Sequence, residues 1–133
     1  MKRLFILMIS GLMSIFAQLS YANEVEIVNV YMQETDSGWR AEVTLKHNDT
    51  SWEHYADAWR VVDRNGHLIK TRVLFHPHIN EQPFTRSLSG ISIPADQSII
   101  YVEAHDKQHG WSKQRVEIDL TRSSGDRYHV RRK

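Results

Sequence analysis

The sequence predicts an all-β domain, an antiparallel sandwich of seven strands behind an N-terminal export signal. Three observations carry that reading. Apolar and polar side chains alternate with a period of two over several short runs. No stretch of convincing length repeats with the 3.6-residue period of a helix, and turn-forming residues punctuate the runs at the spacing of a sandwich.

Each element follows from its own residues. Residues 24–32 place Val25 and Ile27 in one phase and Val28, Val30 and Met32 in the next, the mark of a strand that carries a bulge. Asp36-Ser37-Gly38 turns the chain. Residues 39–47 then alternate cleanly, with Trp39, Ala41, Val43 and Leu45 on one face and Arg40, Glu42, Thr44 and Lys46 on the other. A polar loop over 48–53 leads to a third strand at 54–62, whose Trp59 is the expected core tryptophan. Asn65-Gly66 is the strongest hairpin signal in the chain, because both residues tolerate the positive φ of a primed turn. The returning strand, 67–75, is expected to turn Ile69, Val73 and Phe75 to one side. A fifth strand over 84–93 is interrupted near Ser89-Gly90, and Pro94-Ala95-Asp96-Gln97 reverses the chain. The last two strands are 98–105, with Ile100, Val102 and Ala104 on one face, and 113–120, with Val116, Ile118 and Leu120 inward.

The N-terminus reads as a secretory signal. Lys2 and Arg3 precede an apolar run over residues 4–17, and Ser20-Tyr21-Ala22 puts small residues at the −3 and −1 positions of a cleavage site after Ala22. The run is shorter than the ~20 residues of a bilayer crossing. A periplasmic or secreted domain over residues 23–120 is therefore expected, with no integral membrane segment in the mature chain. There is no cysteine, so thiolate metal sites, thiol nucleophiles and disulfides are excluded. Residues 23–120 hold ten basic against fifteen acidic side chains, which argues against nucleic acid as a partner. Residues 121–133 hold five basic against one acidic and little that is apolar, and are expected to form a disordered tail.

Direction turns the strands into a site. If successive strands are antiparallel, the loop after His47, the stretch 76–83 and the loop 105–111 all fall at one end, here called the top. Six of the eight histidines, His47, His54, His76, His78, His105 and His109, then gather there, leaving His67 at the bottom and His129 in the tail. Imidazole suits zinc and copper(II), the two ions considered as cofactors. His76 and His78, two apart in an extended segment, point the same way and are expected to ligate together. His54 or His109 could complete the set, with Glu81 or Asp106 as an oxygen ligand or an orienter. The competing reading is a structural or protein-interaction domain in which His47, His105, Asp57, Arg86 and Trp111 only brace the loops. By parity Asp57 and Arg86 both face the interior and need a partner, in each other or close by.

An enzyme is not expected. No G-x-S-x-G elbow, phosphate-cradling glycine loop or dinucleotide fingerprint occurs, and a hydrolase set of Ser87, His76 and Asp57 exists only on paper. Asn48-Asp49-Thr50 matches a glycosylation sequon. Exposed edge strands leave dimerisation open.

His54-Tyr55-Ala56-Asp57-Ala58-Trp59, the stretch His76-Pro77-His78-Ile79-Asn80-Glu81-Gln82-Pro83-Phe84-Thr85-Arg86-Ser87-Leu88, and Ala104-His105-Asp106 with His109-Gly110-Trp111 resemble a family of small secreted bacterial proteins. The likeness covers the mature domain without its tail. It implies export and an intact top end, and it brings no activity. In architecture the chain is similar to immunoglobulin-like and fibronectin-like modules and to periplasmic copper-carrying sandwiches, although the methionine-rich stretches of some copper carriers are missing.

Overall fold

A computed structural model describes residues 24–133, and the expected signal at 1–22 lies outside them. Two five-stranded sheets face each other, and the described residues contain no helix. The strands are β1 (Glu26–Thr35), β2 (Gly38–Lys46), β3 (Ala56–Asp63), β4 (Leu68–Val73), β5 (Phe84–Ile91), β6 (Ile99–Asp106), β7 (Gly110–Trp111), β8 (Val116–Asp119), β9 (Ser124–Gly125) and β10 (Tyr128–Arg131). One sheet runs β5-β2-β1-β10-β9. The other runs β4-β3-β6-β7, with β8 paired to β6 beyond β7.

The period-two runs bury the faces that the alternation marks. Trp39, Ala41, Val43 and Leu45 of β2 share one core with Trp59 and Val61 of β3 and Ile100, Val102 and Ala104 of β6, all of them buried. Trp59 is the largest fully buried side chain. The bulge expected in the first strand falls between Ile27 and Asn29, so that Ile27 and Val30 both face inward and Val28 is exposed. The hairpin expected at Asn65-Gly66 closes between Asp63 and His67, but only Gly66 takes positive φ (81) and Asn65 does not, so the turn is not the primed type expected.

Three further expectations are corrected. Ten strands form rather than seven. Two of the additional three lie in residues 121–133, the expected disordered tail, where β10 pairs in parallel with β1 and then antiparallel with β9. That segment has only two apolar anchors, Tyr128 and Val130, but they share one strand face and are 5% and 8% exposed. They close a β1 edge that would otherwise present unpaired backbone. Arg127, at φ 60, fixes the entry by donating to the carbonyls of Ile27 (3.2 Å) and Arg115 (3.3 Å). The third correction is the face of the 67–75 strand. Val73 and Phe75 are exposed and Leu74 is buried, because a bulge opposite Val61 and Val62 breaks the parity and the chain leaves the ladder at Val73.

Alternation of direction holds from β1 to β7, after which β8 continues in the direction of β7 along the same edge of β6, and that positions the site. The end of β2, the start of β3, the β4–β5 connection and the β6–β7 turn all lie at the top, as expected.

Candidate metal centre at the top of the sandwich

Asp49 organises the top loops. Its carboxylate is buried and accepts three hydrogen bonds, from His47 Nδ1 (2.6 Å), the Ala56 backbone (3.0 Å) and the His78 backbone (2.7 Å). It thereby ties the end of β2, the start of β3 and the 74–83 connection to one point. Burial acts to raise its pKa, but the bonds from His47, His78 and Ala56 outweigh it and hold the carboxyl below the usual carboxylate range. Gln82 adds a second tie, accepting from the His47 backbone (3.0 Å) and donating to the His78 carbonyl (2.9 Å).

Five of the top-end histidines fall into two groups, each with a member bonded to Asp49. In the first, one ring or carboxylate atom each of His47, His54 and Asp106 lie within 4.8 Å of one another. The His47 and His54 rings meet edge to face at 4.9 Å, and His109 stands 5.3 Å from His54. Asp49 fixes the orientation of His47: with the proton on Nδ1 and bonded to the carboxylate, the lone pair belongs to Nε2. Asp106 is buried and accepts from the backbones of Gln108 (2.9 Å) and His109 (2.8 Å). His54 Nε2 is buried without a hydrogen-bond partner and lies 3.6 Å from Asp106 Oδ1. A buried ring nitrogen left in that state is costly, and of the two such imidazole nitrogens among the described residues, this one and His78 Nδ1, His54 Nε2 is the one that lies within a three-residue ligand group.

In the second group the His76 and His78 rings lie 4.5 Å apart, so their shared direction is as expected. His78 is engaged at its ring face and Nε2, while its Nδ1 is buried without a hydrogen-bond partner, 4.0 Å from Asp49 Oδ2. Its ring stacks on Phe84 at 3.9 Å, and its Nε2 accepts from the Arg86 guanidinium at 2.7 Å. Burial, followed by the charges of Arg86 and His76, lowers its pKa against the pull of Asp49 and Glu81. A fixed cation on that nitrogen repels a metal ion. His76 is exposed, with Nδ1 near the Pro77 carbonyl (3.1 Å), and Glu81 is exposed as well. Of the expected ligands, the structure therefore brings His54 and His109 to a cluster, moves His47 into it from the bracing set, and leaves His76, His78 and Glu81 outside.

Asp57 and Arg86 take separate partners. Asp57 is the extra residue of a bulge between Ala56 and Ala58, which turns it out of the core phase to pair with His105 Nδ1 at 2.5 Å. That pairing also removes Asp57 from any set with Ser87 and His76. Trp111 lies between His105, edge-on at 4.8 Å, and Arg60, whose guanidinium covers its ring at 3.7 Å. Asp49 is the residue that sequence reasoning missed. It stood inside a glycosylation sequon, and the signal for its role was an acid two positions beyond a strand-ending histidine.

No family model matches the chain, and no solved structure matches it. A protein of Halomicrobium mukohataei described as "Putative lipoprotein" is 36% identical over 99 residues, covering 72% of this chain. Those residues are 47% of the relative, so the chain spans about half the length of the curated protein it resembles.

Proposed function

We propose that the chain is an exported β-sandwich binding module that holds one divalent transition-metal ion at its top end, with His47, His54 and Asp106 as ligands. The observation that carries this is His54 Nε2, buried and unbonded beside Asp106 and His47. Two imidazoles and a carboxylate, with no cysteine in the chain, suit zinc or copper(II) and not copper(I). The Asp49–His47 pair supplies the outer carboxylate that such ligands ordinarily have. Export is supported by the N-terminal pattern and by the name of the relative.

A second reading, in which the cluster only braces the loops, draws on the same Asp49 network, whose three hydrogen bonds join the loops without an ion. It leaves His54 Nε2 unexplained. The test is competition of untagged mature protein with a chromophoric chelator for zinc and copper(II). The proposal expects one ion per chain and an affinity at least tenfold lower in His54→Ala, with urea melts showing that the variant folds. No competition by the intact protein would remove the proposal, as would undiminished binding in His54→Ala together with loss in His76→Ala/His78→Ala.

A further inference from the structure

The β6–β7 turn is built around Asp106. Its Oδ1 accepts from the Gln108 and His109 backbones, and Gly110, at φ 75, lets the chain reverse into β7. That turn places His109 Nδ1 at 3.0 and 3.2 Å from the two Asp106 oxygens. On the other side of the carboxylate, His54 Nε2 lies 3.6 Å from Oδ1. Ligand bonds of about 2.0–2.1 Å in a tetrahedral shell set neighbouring donor atoms about 3.3 Å apart. The distances on both sides of Asp106 bracket that value. His109 also differs from its neighbours in access: its side chain is 37% exposed, against 13% for His54, 1% for Asp106 and 0% for His47.

We infer that His109 is the fourth, closing ligand of the centre, supplying Nδ1 in place of its hydrogen bond to Asp106, and that the ion enters from solvent past the 107–110 turn. The inference rests on the metal reading above and extends it to what the centre is for. Three histidines and an aspartate fill a tetrahedral shell, leaving no position for a substrate or an activated water. A filled shell with one exposed ligand belongs to a module that holds or carries its ion rather than one that hydrolyses with it.

Cobalt(II), whose visible absorption reports coordination number, is the probe. The intact mature protein is expected to give the intense visible bands of a four-coordinate ion, unchanged by added azide. His109→Ala is expected to bind cobalt(II) with an affinity lower by roughly tenfold or more. Its weaker bands should shift on adding azide and be restored by imidazole. His109 is a surface residue, and an unchanged urea midpoint establishes that the variant is folded. An azide-sensitive spectrum in the intact protein, or a His109→Ala spectrum identical to it, overturns the closing role while bound cobalt leaves the centre itself standing. Intact protein that takes up no cobalt(II) overturns both.

Discussion

Removing the Asp49 carboxylate is the sharpest perturbation of the top end that needs no metal. In Asp49→Ala the His47 ring N–H and the backbone N–H groups of Ala56 and His78 lose their acceptor in a site where Asp49 is 2% exposed. Bonds to a charged acceptor contribute about 1.5–3 kcal/mol each, and a buried donor left unpaired costs about 1–3 kcal/mol. The three share one carboxylate and do not add, and the variant no longer bears the desolvation of that charge, so the expected net loss is about 3–5 kcal/mol. A domain of this size holds about 5–15 kcal/mol, so all but the lowest part of that range leaves the variant folded in water. With a urea slope of about 1.5 kcal/mol/M, the midpoint followed by tryptophan fluorescence should fall by ~2–3 M. Asp63 is the control. It also accepts from Asn65 N (2.8 Å) and His67 N (2.9 Å), but in an exposed turn where water replaces it, and Asp63→Ala should move the midpoint far less. A midpoint for Asp49→Ala within ~0.5 M of the intact protein would refute the view that this carboxylate joins the loops.

Other outcomes follow from the same geometry. Burial and the neighbouring Arg86 lower the His78 pKa from 6.5, so its ring protons observed by NMR should titrate below that value; a midpoint at or above it would contradict the contact. The sign for stability is that His78 stays neutral in the fold while the unfolded chain takes up a proton. Its contribution is thus complete above pH 6.5 and declines as pH falls from there toward the lowered folded value. Deleting residues 123–133 uncovers the β1 edge and removes Tyr128 and Val130, at about 1.5–3 kcal/mol each. A lower melting temperature and self-association on size-exclusion chromatography are expected, and an unchanged monomeric melt would show the tail to be dispensable. A Cβ at Gly125 would sit 2.4 Å from Tyr128 Cε1, so Gly125→Ala should cost about 1–3 kcal/mol in a urea melt, whereas Gly66→Ala meets no neighbour and strains only its turn.

What could be read in the sequence was what repeats locally. The alternation in residues 39–47 and 98–105 marked the buried faces of β2 and β6, and the turn signals set the directions that gather six histidines at one end. What could not be read depends on register between distant strands. The bulge that turns Asp57 toward His105 exists only against β6, and Leu74 is buried because the bulge opposite Val61 and Val62 shifts the phase of β4. Asp49 carries no periodic signal, since its three donors come from separate segments. The tail was misjudged because charge dominates its composition, while the order of Tyr128 and Val130 along the chain is what lets it pair. Among the ligand candidates, spacing alone favoured His76 with His78. The Arg86 contact that occupies His78 depends on how the connection between them folds back onto β5, which spacing does not show.

The central claim is a position, and anomalous diffraction measures positions. Crystals of the mature protein grown without a tag and soaked in a zinc salt should show one strong peak at the zinc edge between His47, His54 and Asp106, within about 2.0–2.2 Å of each ligand atom. A principal peak at His76 and His78, or none at the top end, would contradict the account.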